Sequence, residues 1–325
     1  MKKFFLQVAI ILIFLIIGII IGKKIYSVPE ESLQQEVRKS FNYKFISPLL
    51  ECNSNTPSNN LSTIKHQVQD VINQQINQKN ISFASVYFRD LNNGPWFGIN
   101  EKEYFTPASL VKVPVLITYY KKAEKNPEIL KQTIINKEDL NSGSQIQNIK
   151  PSEILTPNLD YTINDLINRM IIHSDNDAYN DLVNNINGDE IVKTYNDLDV
   201  DISKAFTNPN GNILTVKDYA SFFRILYNAS YLNKDMSERA LDLLSQTDYK
   251  QGLVAGVSKN IPIAHKFGER IYSDTNEVQL HDCGIVYLPQ KPYLLCIMTR
   301  SQNIDKATET IKLVSKKVFE YINSN

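Results

Sequence analysis

The chain is poor in the residues from which metal and redox sites are built. Only Cys52, Cys283 and Cys296 occur in 325 residues, too few for a disulfide framework, and no Cys-x-x-Cys or Cys/His cluster has metal-ligand spacing. The cysteines read as packing residues. His66, His173, His265 and His281 are scattered and form no His-Glu-x-x-His pattern. No metal and no other cofactor is therefore expected. Net charge is missing too, since 35 Lys plus Arg face 35 Asp plus Glu. There is neither a basic field to gather nucleic acid nor an acidic tail. A neutral or weakly charged small ligand fits better, nucleic acid is excluded as a partner, and a monomer is expected. No internal repeat is visible.

What the chain does have begins with an apolar run of 19 residues, 4–22, broken only by Gln7 and flanked by Lys2, Lys3, Lys23 and Lys24. At ~1.5 Å per residue it roughly matches a ~30 Å hydrocarbon core and exceeds most export-signal cores. No small-residue cleavage site follows, so an uncleaved signal anchor is expected, with a cleaved export signal as its rival. The flanking charges nearly balance and do not orient the helix. The expected organisation is a tail at 1–3, a membrane anchor at 4–22, a polar, proline-bearing stalk at 23–60 and one domain over 61–325. Residues 41–50 of the stalk carry enough apolar character to dock on that domain.

Within the domain, residues 61–78 have helical apolar spacing. Residues 81–91 and 96–99 alternate about Asn92-Asn93-Gly94 as a β-hairpin. Residues 109–246 are mostly helical. Strands return at 261–266, 280–288 and 293–299, and a helix closes the chain at 304–322. Placing Leu288 opposite Tyr293 sets Cys283 and Cys296 diagonally on one face, where a bridge is not expected. The fold class is α/β (α+β), an antiparallel sheet built from both chain ends with flanking helices and an inserted all-helical subdomain. A cleft between the two parts follows.

The sharpest local signal is Thr106-Pro107-Ala108-Ser109-Leu110-Val111-Lys112. Thr106 suits an N-cap and Pro107 the first helical position, which puts Ser109 in the first turn and Lys112 on the same face. A serine hydroxyl attacks at neutral pH only with a base beside it, and a desolvated lysine near a second cation can be that base. Lys266 is the candidate second cation. Ser-x-x-Lys alone arises by chance on many helices. Its company is His173-Ser174-Asp175-Asn176 and Ala264-His265-Lys266-Phe267-Gly268.

Ordered Ser-x-x-Lys, Ser-Asp-Asn and Lys-x-Gly resemble the motif set of the class A β-lactamase and penicillin-binding serine hydrolases. The resemblance covers residue 61 to the C-terminus. It implies Ser109 as nucleophile and Lys112 as its activating partner. It further implies Ser174 as proton relay to the leaving nitrogen, Asn176 as a holder of the substrate's amide, and Lys266 as positive charge near a substrate carboxylate. The backbone N–H groups of Ser109 and Glu269, beside Gly268, would form the oxyanion hole. The implied partner is a β-lactam or a peptidoglycan stem peptide, both outside the cytoplasmic membrane, so the anchor is expected with its N-terminus inside.

Two departures bear on mechanism. The family's Glu-x-x-x-Asn pattern, whose glutamate activates the deacylating water, is absent; Glu190, at an expected helix start, is the only glutamate between Asp177 and Asn208. Phe267 stands where the family has Thr or Ser, so the hydroxyl that would bind a substrate carboxylate is lost, and Arg270 is the candidate replacement anchor. The bland readings are an ordinary helix cap at Ser174-Asp175-Asn176 and a solvated strand end at Lys266. The competing functions are a non-catalytic cell-wall binding protein on the same fold and an esterase or amidase for another extracellular substrate.

Overall fold

A computed structural model describes residues 42–48, 61–92, 94–136, 147–203 and 211–324. The expected membrane anchor and most of the stalk lie outside the described residues. Among the described residues no helix is long and apolar enough to cross a membrane.

The first helix, α1 (Ser62–Asn77), buries Ile64, Val68 and Ile72 at four-residue spacing. It packs on the sheet beside the last helix, α9 (Ile304–Ser324), whose Ala307, Ile311, Val314 and Val318 follow at spacings of four, three and four. Strands β1 (Phe83–Asp90) and β2 (Trp96–Ile99) form the expected hairpin, with Arg89 opposite Trp96. After the short β3 (Tyr104–Phe105) comes the helical block. It comprises α2 (Lys112–Ala123), the two-stranded β4 (Thr133–Ile135) and β5 (Asp160–Thr162), α3 (Ile163–Ile172), α4 (Asn176–Asn185) and α5 (Gly188–Asp197). Then follow β6 (Leu214–Thr215), which pairs with β3, α6 (Val216–Asn228), α7 (Lys234–Ser245) and the short α8 (Gly252–Ala255). Strands β7 (Ile263–Ile271), β8 (Val278–Val286) and β9 (Tyr293–Ser301) finish an antiparallel sheet of order β2-β1-β9-β8-β7. Both chain ends thus build one sheet, and β7 is left as an edge strand.

Two cores result. One lies between the sheet and α1, α8 and α9; the other joins the opposite sheet face to the helical block. Residues 42–48 belong to the second core. Phe45 and Ile46 are buried, and the Glu238 carboxylate accepts from the backbone N–H groups of Lys44, Phe45 and Ile46 at 2.8–3.1 Å.

The register of the last hairpin differs from the expected one. Val286, not Leu288, stands opposite Tyr293, so residues 287–292 form the connection and Leu288 turns into the core. A slip of two residues leaves every side chain on its own face, and the apolar pattern is blind to it. Cys283 and Cys296 become direct cross-strand partners, 3.9 Å apart at Cα, and are joined by a disulfide.

Candidate active site

Ser109 sits in a 3-10 turn, Ala108–Val111, that leads into α2. Thr106 does not cap it, contrary to the sequence expectation, because Pro107 is the flanking residue and no side chain caps the turn. Ala108 takes a left-handed φ of 47°, which an alanine occupies only at a cost of order 1 kcal/mol and only when its surroundings impose it. Strand β8 does so. Gln279 Oε1 accepts from Thr106 N–H (3.0 Å), and the Thr106 carbonyl accepts from His281 Nε2 (2.9 Å). Burial drives the His281 pKa down to about 4, so its ring is neutral. The turn carrying Ser109 is therefore pinned through both backbone polar groups of Thr106.

Lys112 opens α2 and is 1% exposed. Its Nζ lies 2.6 Å from the Ser174 carbonyl, 2.7 Å from Asn176 Oδ1, and 3.2 Å from both Ser109 Oγ and Ser174 Oγ. The two short contacts are to pure acceptors. A neutral amine has two hydrogens for them and keeps its lone pair for a hydroxyl. Burial, then the charge of Lys266, push the Lys112 pKa well below its ordinary value, against the opposing pull of Asp175, Asp177 and Glu269. The free base is thus accessible where Ser109 would need it.

Ser174 arrives on the link between α3 and α4, and Asn176 opens α4. Ser174 also takes a positive φ, 57°, and is fully buried. Asp175 is the N-cap of α4, accepting from Asp177 and Ala178 N–H at 2.8 and 3.2 Å. The helix-cap reading and the site reading of this tripeptide are both satisfied, by different residues. Asp175 props the loop, which frees its neighbours to face Lys112.

Lys266 lies in the middle of β7, not at its end, because the strand continues through Gly268 to Ile271. Its Nζ donates to Ser174 Oγ (2.8 Å) and to the Phe267 carbonyl (3.2 Å). Full burial brings its pKa to about 7, with Asp282 and Asp248 pulling the other way. The solvated-strand reading fails, since the side chain is 0% exposed.

Thr247 donates to the His265 carbonyl (2.9 Å) from the side opposite β8. A strand residue turns its N–H and C=O to the same side, and the side alternates along the chain. His265, Phe267 and Glu269 therefore present their amides at the free edge of β7, the edge packed on the Ser109 turn. Gly268 permits this approach. A Cβ there would lie 3.1 Å from the Ser109 and Leu110 nitrogens and from the Pro107 carbonyl oxygen. Oxyanion stabilisation by the Ser109 and Glu269 N–H groups fits this arrangement.

Arg270 does not join the cluster. It is exposed, with its guanidinium 5.0 Å from the centre of the Tyr272 ring. Phe267 is buried and stacks on Tyr249 with ring centroids 4.2 Å apart. The Glu269 carboxylate accepts from the N–H groups of Asn148 and Ile149, each at 2.7 Å. Gln147 donates to the Ser174 carbonyl (3.0 Å). Sequence reasoning gave no sign of this 147–149 segment, which carries no motif and acts mainly through its backbone. His265 pairs with Asp282 (2.8 Å) on the sheet face away from Lys266. Ser152, His173 and Asp248 also meet, but Ser152 and Asp248 both contact His173 Nδ1, whereas a relay needs the two ring nitrogens to serve different partners. Among the described residues no group of His, Cys, Asp or Glu is arranged to hold a metal.

A family model described as the beta-lactamase enzyme family matches residues 63–322. Several solved structures are similar. PBP-A aligns at 24% identity and TM-score 0.67, covering 82% of this chain and 97% of its own. TLA-3 extended-spectrum beta-lactamase aligns at 18% and 0.68, covering 79% and 98%. A class A beta-lactamase from Mycobacterium abscessus aligns at 18% and 0.67, covering 79% and 99%. At such identities the structural likeness speaks for the fold. No curated protein sequence matches. Because the family model spans nearly all of the domain that carries Ser109, Lys112, Ser174 and Lys266, the chain belongs to the beta-lactamase enzyme family and is a serine hydrolase.

Proposed function

We propose that the chain is an acyl-serine hydrolase held at the outer face of a membrane by residues 4–22, and that a β-lactam or a D-Ala-D-Ala-type cell-wall peptide acylates Ser109. The carrying observation is the 3.2 Å approach of Lys112 Nζ to Ser109 Oγ, with the amine's short contacts taken by two carbonyl oxygens. Neutral Lys112 takes the Ser109 proton as Oγ attacks the carbonyl carbon. The oxyanion forms between the Ser109 and Glu269 amides, an interaction of about 3 kcal/mol per donor in such sites. As the carbon–nitrogen bond breaks, Ser174 gives its proton to the nitrogen and is resupplied through Lys112 or Lys266, both in contact with its Oγ.

Among the described residues, deacylation lacks an identified base. Glu190 forms an ion pair with Lys122 and stands in the first turn of α5, where it also favours the helix dipole. A slowly released acyl-enzyme follows. The Cys283–Cys296 disulfide supports the extracytoplasmic placement, since such bonds persist mainly in oxidising compartments. An esterase or amidase remains the second reading, favoured by the apolar Phe267 ring at a position where a hydroxyl would bind a carboxylate.

The test uses the full-length chain in detergent with a fluorescent penicillin, following covalent mass over time. Stable label lost in Ser109→Ala supports the proposal. Rapid release with drug hydrolysis points to a β-lactamase with another base. Absence of label at millimolar drug removes the β-lactam and D,D-peptide reading.

A further inference from the structure

The departing half of a substrate must lie beside Ser174, and that side of the cleft has an unusual electrostatic character. Lys266, whose Nζ is 2.8 Å from Ser174 Oγ, is the adjacent cation. Its ammonium is fully buried, engaged with Ser174 and the Phe267 carbonyl, and covered by the Phe267 ring with 4.2 Å to the centroid. Arg270 faces Tyr272, and Lys250 is turned to the Thr247 carbonyl. What β7 sets nearest this cation is the buried Phe267 ring, and two residues further on it carries the Glu269 carboxylate.

That carboxylate is fixed in place. Glu269 Oε1 is clamped by two consecutive backbone N–H groups, at 2.7 Å each, in the segment whose Gln147 holds the Ser174 carbonyl. Oε2 is buried and has no hydrogen-bond partner among the described residues. A buried carboxylate oxygen with spare acceptor capacity is stabilised by a donor and destabilised by a second anion. Its charge reaches the reaction centre, since Glu269 is one of the groups that raise the Lys112 pKa.

We propose that Glu269 and Phe267 set leaving-group specificity at the Ser109 site. The enzyme takes acyl donors whose departing nitrogen or oxygen bears a neutral or cationic substituent, and discriminates against those bearing a carboxylate there. In cell-wall chemistry this selects a cross-link whose amine belongs to a side chain or to an amidated centre over a free carboxyl terminus. The inference rests on Ser109 being the nucleophile and narrows the proposed substrates, so that a free D-Ala-D-Ala terminus and an unmodified penicillin become the slower acyl donors. Acylation joins Ser109 Oγ to the carbonyl carbon and breaks the carbon–nitrogen bond. The Ser109 proton goes to Lys112, and the nitrogen leaves with the proton handed on by Ser174.

Benzylpenicillin and its methyl ester share one acyl group and differ only in the carboxylate on the departing side. Second-order acylation constants are measured by intact mass on the full-length chain in detergent. The ester acylates at least tenfold faster than the acid. Glu269→Gln, which keeps an acceptor for Asn148 and Ile149, narrows that ratio severalfold by accelerating the acid. Phe267→Thr narrows it as well. An acid that reacts as fast as its ester, or a ratio unmoved by both substitutions, overturns the proposal. So does refusal of both β-lactams by a chain that a neutral fluorophosphonate labels at Ser109. Failure of the fluorophosphonate as well would remove Ser109 as nucleophile, and the proposed function with it.

Discussion

The two faces of β7 carry different kinds of residue. On the face toward the helical block stand Ala264, Lys266 and Gly268; on the other stand His265, Phe267 and Glu269. The first set supplies a cation beside Ser174 and a clearance beside Ser109. The second supplies a buried histidine–carboxylate contact, an aromatic stack and a clamp on a neighbouring loop. Strand alternation lets one short segment do both, so chemistry and its support sit back to back. The lesson is that substitutions on the inner face should change rates directly, while those on the outer face should act through charge or selection.

The largest effect is expected from Lys266→Met, which keeps length and removes charge. Acylation falls about a hundredfold, in the range of a lost electrostatic partner at a reacting centre. The acid limb of its pH profile also moves upward. The sign follows from repulsion: the Lys266 ammonium lowers the Lys112 pKa, so without it Lys112 holds its proton to higher pH. A stopped-flow or mass-based pH profile in which the limb stays put or moves down would break the comparison.

Gly268→Ala comes next. The new Cβ meets three backbone atoms at 3.1 Å, so β7 and the Ser109 turn must separate by a few tenths of an ångström. Acylation slows about tenfold through lost alignment, while the melting temperature hardly moves. Equal losses of rate and stability would show that the glycine serves packing rather than the site.

Asp282→Asn tests the outer face. Asp282 raises the Lys266 pKa, so its neutral substitute lowers that pKa below about 7 and shifts the alkaline limb of the acylation profile to lower pH. The rate at pH 6 changes less than severalfold. A limb that does not move would mean that Lys266 is not the group titrating there.

Smallest in activity is loss of the disulfide. Cys283→Ala with Cys296→Ala removes a bridge of sequence separation 13 and costs about 2–3 kcal/mol of stability, visible as a lower urea midpoint. Acylation by penicillin stays within about twofold, because neither sulfur touches Ser109, Lys112 or Ser174 and truncation leaves the strand pairing in place. A large rate loss would mean that the bridge sets the position of Lys266, its neighbour across β7 and β8.

Much of this was legible in the sequence. The element order fixes which strands share a sheet, and three ordered motifs bring Ser109, Lys112, Ser174, Asn176 and Lys266 within hydrogen-bond range. Four features were not legible, each for a physical reason. The last hairpin slips by two residues, which leaves its apolar pattern unchanged. Ala108 and Ser174 adopt positive φ because β8 and the α4 cap impose it, and neither is a residue that announces such a backbone. Arg270 is adjacent to the site in sequence but lies near the strand end, where its guanidinium faces Tyr272 instead. The Glu269 clamp depends on backbone N–H groups of residues 148 and 149, which side-chain patterns cannot reveal.

The free edge of β7 has one more consequence. An edge strand with open amides is a template for pairing, and proteins generally blunt such edges to avoid sheet-to-sheet association. In the proposed mechanism the edge stays open where Ser109 lies, since the Glu269 amide there would meet the oxyanion. Segment 147–149 is tied to this strand by the Glu269 carboxylate and to the Ser174 carbonyl by Gln147. A loosened clamp is therefore expected to leave more of that edge open to strand pairing.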